Sequence, residues 1–355
     1  MSESLAPSTA DMTPAAPEPR GYSDHGRPAW QRLLLTPEMA IIALLAVVVV
    51  VASLSVRNFA TPITLTFLLL DVATLLLIAL PMTMVMITGD IDLSVGSMVG
   101  LSSVVIGMMV QACQPMGLAS IAAVVVGALG GLLNGLLITR MQLPALAVTI
   151  GSMALYRGIA VGLLGTTAVT SFPADWAAAA RASIPGTPIP VVMIGFAVLL
   201  VVFVVLAHFT TFGRDTYAIG RSRDAALFNG VRVDRTRVIL FVLSGAIAAL
   251  AGIYYTLRFG SARGDNAMGL ELQVIAAVVL GGVSVFGGRG AMHGVVAGVL
   301  LIGVLSSALR LAGITSDVIN IITGLLLVMS VISGSILSWA QARRVRPGAS
   351  AVAKA

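Results

Sequence analysis

Long apolar runs recur down this chain, at 39–56, 63–80, 97–113, 118–138, 145–164, 191–208, 238–257, 272–286, 292–309 and 318–339. Each approaches the roughly 20 residues that a helix needs to cross a bilayer. A soluble core has no place for so many. The 355 residues are 58% hydrophobic and only 10% charged, where soluble domains carry about 25% charge. Too little polar surface remains for a soluble enzyme or a nucleic-acid binder, and disorder is excluded for most of the chain. Hydrocarbon leaves no water for backbone groups, so runs of this length must close their hydrogen bonds internally. The expectation is an all-α polytopic integral membrane protein with about ten transmembrane helices. The second run is open to extension through Pro81 to Ile87, and 272–286 is short.

The flanks divide the chain further. Residues 1–36 are polar and punctuated by Pro7, Pro14, Pro17, Pro19 and Pro28, which stop a helix; they are read as a disordered cytoplasmic tail. The first apolar run lies too deep for an ordinary signal peptide and is read as an uncleaved anchor. Residues 37–340 form the membrane domain, with a cytoplasmic loop at 211–237, and 341–355 form a second cytoplasmic tail. Ten crossings put both termini on the same side. With the N-terminus inside, 15 of the 21 Lys and Arg residues fall inside, as the positive-inside rule requires. The net charge of +6 is thus a topology signal and implies no nucleic acid. Residues 165–190, with Trp176, form the longest outside connection.

Chemical motifs are sparse. The single lysine, Lys354, rules out a phosphate-binding loop of the G-x-x-x-x-G-K-[ST] type. His25, His208 and His293 make no zinc motif, and the lone Cys113 forbids an internal disulfide. No catalytic residue, metal or cofactor is expected. Acids inside or beside apolar runs stand out: Asp71, Asp90, Asp92 and Glu271. Such groups usually face a partner or a wet cavity. Asp92, Ser94, Ser97 and Glu271 are candidates for a translocation path or hinge, alongside Ser102 and Ser103. Asp92 is equally suited to capping a helix that starts near Leu93, and Asp71 to a helix–helix hydrogen bond. Asp-Leu-Ser-Val at 92–95 and Glu-Leu-Gln-Val at 271–274 hint at two related halves.

Glycines recur every four residues at Gly127, Gly131 and Gly135, and again at Gly290, Gly294 and Gly298. Each set makes a smooth stripe for close helix packing. Within the loop at 211–237, Gly213 and Gly220 are expected to frame a strand-like or turn segment. Asp224 to Phe228 form a short helix stopped at Asn229-Gly230. That helix displays Ala225, Ala226, Leu227 and Phe228, as if to enter another protein's groove.

Three stretches together resemble the ribose-type permeases of bacterial ABC sugar importers. They are Gly-Asp-Ile-Asp-Leu-Ser-Val-Gly-Ser at 89–97, the loop at 213–230, and 271–288 with its Ala-Val-Val-Leu-Gly-Gly core. They occur in the family's order, and with the intervening spans cover roughly 40–340. Residues 145–165 and Asp175-Trp176 look most similar to autoinducer-2 and rhamnose import permeases. The family usually has two glycines where this chain has Gly89-Asp90, and a Gly-x-Asn element where it has Gly220-Arg221-Ser222. These departures bear on local backbone geometry and on one contact of the coupling loop.

The resemblance implies a transport subunit in the bacterial inner membrane that is not itself an enzyme. It implies a second permease copy or sister permease, cytosolic ABC ATPase subunits that bind the ATP, and a periplasmic sugar-binding protein. Gly213, Gly220, Asp224, Ala225, Ala226 and Gly230 would belong to the ATPase-coupling loop. The alternative is an ion-coupled secondary transporter using Asp71, Asp92 or Glu271. An intramembrane aspartate enzyme has no spacing logic in its favour.

Overall fold

The computed structural model describes residues 37–344, so the expected tail at 1–36, and that at 341–355 beyond the helical 341–344, lie outside the described residues. The described chain is all-helical, with only two isolated β-bridges, Val169 to Ala262 and Ser183 to Pro190. Every apolar run carries a helix. These are α1 (Pro37–Ser55), α2 (Pro62–Ile87), α3 (Val95–Gln111), α4 (Met116–Arg140) and α5 (Ala145–Leu164), then a short α6 (Ala174–Arg181) and α7 (Val192–His208). Next come α8 (Thr211–Arg221), α9 (Arg223–Phe228), α10 (Val233–Phe259), α11 (Leu270–Leu280), α12 (Met292–Leu311) and α13 (Ser316–Arg344).

Six of these helices are long and apolar enough to cross a membrane: α1, α2, α4, α5, α10 and α12. The count becomes seven if α7 and α8, bent by 65° at their junction, make one span. α3, α11 and the apolar 316–329 part of α13 are shorter. The run at 272–286 is therefore helical only to Leu280. Gly282, with φ +90, ends it.

α2 is the buried axis of the bundle. Thr61 caps its start by accepting from the Thr64 N–H at 3.4 Å, and Pro62 occupies the first turn, where its missing N–H costs nothing. The helix runs on through Pro81 to Ile87. A membrane helix tolerates such a proline when its neighbours hold the freed backbone. Almost every residue from Val72 to Ile87 is buried.

The remaining core is set by glycine contacts. A Cβ at Gly127 or Gly131 would strike the carbonyls of Gly245 or Phe241, and one at Gly135 would sit 2.9 Å from the Val238 backbone. The first stripe thus lets α4 lie directly on α10. The second stripe is only partly helical. Gly294 and Gly298 face Gly281 and Ala277 of α11, but Gly290 precedes α12 in a turn with φ +156. Widening Gly245 to leucine is expected to force α4 from α10. It should cost at least about 1–3 kcal/mol as an overpacked core, read as a lower unfolding midpoint of the purified protein in detergent.

Glycine neighbours also trace the unusual segment between α10 and α11. Gly107 of α3 faces Ala262, Gly100 faces Asn266, and Gly96 faces Ala267 and Glu271. Residues 260–269 thus run back along α3 as non-helical chain, and α11 starts beside the beginning of α3.

Candidate functional site

Three arrangements carry chemistry. The first gathers around the end of α2. Gly89, with φ +82, turns the chain out of α2, and the next residue supplies a side chain that the resembling family lacks. Asp90 accepts from Nε and Nη2 of Arg237 on α10, both at 2.6 Å, and both residues are buried. Thr88 adds a hydroxyl hydrogen bond to Asp90 at 3.3 Å. Gly89 keeps the left-handed position, so the departure at residue 90 adds a cross-link without straining the turn.

Asp92 does not begin a helix near Leu93, because α3 starts at Val95. Its carboxylate instead accepts from the Ser94 N–H at 3.0 Å, the Ser94 hydroxyl at 2.6 Å and the Ser244 hydroxyl at 2.7 Å. Asn134 donates to Ser94 at 2.9 Å, and the Tyr156 hydroxyl donates to the Gly130 carbonyl at 2.9 Å. This buried network ties α3, α4, α5 and α10 together. Ser97 and Ser102 donate to carbonyls one turn back, and Ser103 accepts from Thr256 at 2.7 Å. These serines are buried, and none lines a cavity described below.

Arg157 of α5 was not singled out from sequence, yet it holds the back-folded segment. It donates to the carbonyls of Gly264 at 2.8 Å, Asn266 at 2.7 Å and Gly96 at 3.3 Å. Non-helical backbone at this depth needs such donors, since hydrocarbon offers none. An arginine in mid-run at 145–164 was the available signal. Glu271 packs its carboxyl against Gly96, and its Oε2 is buried without a hydrogen-bond partner.

The second arrangement is α8–α9, the end expected from sequence to dock a partner. α8 is a helix, so Gly213 and Gly220 do not frame a strand or turn. Thr210 caps it by accepting from the Gly213 N–H at 3.2 Å. Both glycines are close-approach points: a Cβ at Gly213 would strike Ala207, and one at Gly220 the Ile87 carbonyl. Ser222 caps α9 by accepting from the Ala225 N–H at 3.3 Å, a role an asparagine would fill equally. α9 ends at Asn229, with Gly230 left-handed at φ +79. Asp224 lies in its first turn. Ala226 is not on the displayed face, because it is buried with Ile219 and Val233. Ala225, Leu227 and Phe228 are exposed, Phe228 at 91%.

The third arrangement is a cavity of about 540 Å³ near the opposite end of α2. Its walls come from α2, the 263–268 segment, the start of α11, the end of α12 and the start of α13. Asp71 accepts from Arg258 of α10 and, at 3.3 Å, from Arg310 of α12, so the expected helix–helix hydrogen bond is present, in the form of two ion pairs. Asp71, Ser307 and Arg310 also border a second cavity of about 350 Å³. The Asp71–Arg310 pair therefore stands between the two. At the rim, Arg263 grips Asp265 through two hydrogen bonds of 2.8 and 3.0 Å. The cavity residues Gln273, Ser306, Ser307 and Asn320 were not singled out from sequence. Their signal was polarity inside apolar runs.

Among the described residues no group of three or more His, Cys, Asp or Glu converges as a metal site. No solved structure matches the chain. A curated relative, the "Autoinducer 2 import system permease protein LsrD" of Escherichia coli O157:H7, is 36% identical over 266 residues, covering 73% of this chain and 80% of the relative. The protein of the same name from Yersinia enterocolitica serotype O:8 is 35% identical over 320 residues, covering 86% of this chain and 96% of the relative. The family profile described as "Branched-chain amino acid transport system / permease component" matches residues 64–331. Its match spans the α2 axis, the docking end and the larger cavity, and the chain belongs to this family of membrane permease components.

Proposed function

We propose that the chain is the permease subunit of an ATP-driven importer in a bacterial inner membrane, passing a sugar-like solute of the autoinducer-2, rhamnose or ribose class. A cytosolic ATPase subunit docks on α8–α9, a second copy or a sister permease completes the membrane pathway, and a periplasmic binding protein delivers the solute. ATP is bound by the partner, and this chain performs no catalysis. The observation that carries the reading is the exposed apolar end of α9, Leu227 and Phe228, at a bundle end surrounded by arginines. Similarity to an import permease over 86% of this chain supports the same assignment.

Ten passes, with both termini cytoplasmic, complete the proposal. α3 and α11 each make a pass together with the irregular chain that precedes them. The end of the bundle that holds Asp90, Arg140, Arg237, Arg289 and α8–α9 faces the cytoplasm, in keeping with its excess of arginine. Nucleotide binding in the partner then shifts α9 and, through it, the balance of outward-open and inward-open states. To dominate that balance it must favour one state by several kcal/mol.

Phe228→Asp tests the docking surface. At 91% exposure the change should leave the unfolding midpoint unaltered. It should weaken capture of the ATPase subunit by at least about tenfold, because truncating a buried interface aromatic typically costs about 2 kcal/mol. Undiminished capture and undiminished ATP-dependent uptake would overturn the assignment of α9.

A further inference from the structure

The larger cavity has a lining that suits one kind of occupant. Gln273 on α11, Ser306 and Ser307 on α12 and Asn320 on α13 all border it, and none has a hydrogen-bond partner for its side chain among the described residues. Polar side chains in a membrane bundle are costly unless they face a partner or a wet cavity, and they tend to mark a solute path. The carboxylates at the rim are already satisfied, Asp71 by Arg258 and Arg310, and Asp265 by Arg263. What faces an entering solute is therefore a set of amides and hydroxyls that both donate and accept. Leu68, Leu75, Ile302, Tyr255 and Phe259 supply apolar lining. A volume of about 540 Å³ lies within the usual range of small-molecule sites, about 300–1,000 Å³.

We infer that this cavity is a recognition site for a neutral polyhydroxylated solute within the permease chain itself, read by the amides of Gln273 and Asn320 with help from Ser306 and Ser307. The inference rests on the importer reading and deepens it. Selection is not left wholly to the delivering protein, because a solute without paired hydroxyls leaves these amides unanswered. A zwitterionic amino acid is a poor match. Its ammonium and carboxylate would have to compete for Asp71 and the arginines, which already hold one another.

The test uses the assembled permease in nanodiscs of glycolipid-free phospholipid, without the delivering protein. Binding of tritiated D-ribose, L-rhamnose and mannitol is measured, with L-leucine as the zwitterionic comparison. The expected result is saturable binding of at least one of the three polyols and none of leucine. Gln273→Leu and Asn320→Leu should each weaken binding by about tenfold, the worth of a well-made hydrogen bond. Cys113→Ser, at an exposed position outside the cavity lining, should leave binding unchanged. Should either leucine variant fail to fold, Gln273→Asn and Asn320→Asp take its place, and a loss of affinity is again expected. Absence of polyol binding, preference for leucine, or folded variants that bind as wild type would each overturn the site. ATP-driven uptake by the complete complex separates the two readings. Uptake that persists while the permease alone binds no polyol sinks the site and spares the importer, whereas no ATP-driven uptake of any of the four solutes or of autoinducer-2 sinks the importer reading.

Discussion

Replacing Asp90 by asparagine is expected to destabilise the protein by about 3–5 kcal/mol, the usual result of leaving one partner of a buried ion pair without the other. Asp90 is the hydrogen-bond partner of Arg237 on two of its nitrogens, and Arg237 Nη1 is already buried without one. A neutral amide would leave a guanidinium stranded at the start of α10, behind the turn that leads into α3. The pair itself need not be a large net stabiliser, since desolvating two charges offsets much of their attraction. Removing both charges, as Asp90→Gly with Arg237→Leu, should therefore recover most of the loss. Reversible unfolding in mixed micelles compares both variants with the wild type. A double variant no more stable than Asp90→Asn alone would show that the pair does more than neutralise itself.

The second large effect is expected at Arg157. Arg157→Leu removes the donors to three carbonyls, two of them at 2.8 and 2.7 Å. Hydrogen bonds to a charged donor contribute about 1.5–3 kcal/mol each, so a loss of about 3 kcal/mol or more is expected. The damage should be local first. Hydrogen exchange should quicken at 262–271, which runs beside α3, before the α4–α10 core opens. Arg157→Lys keeps a cation but not the planar fork that spans separate carbonyls, and should fall between wild type and leucine. Equal protection of 262–271 in all three proteins would contradict this role.

The sequence revealed the fold wherever the deciding physics is local. Apolar length and composition set the helices, and the four-residue spacing of Gly127, Gly131 and Gly135 exposed the face on which α4 meets α10. The stop at Asn229-Gly230 was legible because a left-handed residue ends a helix through its own backbone. What stayed hidden depends on distant partners. Nothing near Asp90 announces Arg237, which is 147 residues away. Nothing in Ser261, Gly264, Asp265 and Asn266 marks their segment as lying along α3. Gly213 and Gly220 look like turn punctuation, but they are glycine because neighbouring carbonyls leave no room for a Cβ. The cavity escaped attention for a related reason. Acids drew the eye to Asp92 and Ser94, which the structure spends on tying helices together. The open amides and hydroxyls sit on three separate helices that only tertiary packing brings into one place.

The close approach at Gly220 has a mechanical corollary. Its backbone rests on the last carbonyl of α2 and on the Gly288 N–H, the same N–H donates to that carbonyl at 2.8 Å, and Tyr217 donates to the Gly290 carbonyl at 2.8 Å. Backbone pressed on backbone has no side chain to yield, and packed interiors are nearly incompressible. Any thrust delivered to α8–α9 therefore meets α2 and the α11–α12 turn in the same instant, without slack. The α8–α9 knuckle acts as a stiff crank on the first and second halves of the chain at once.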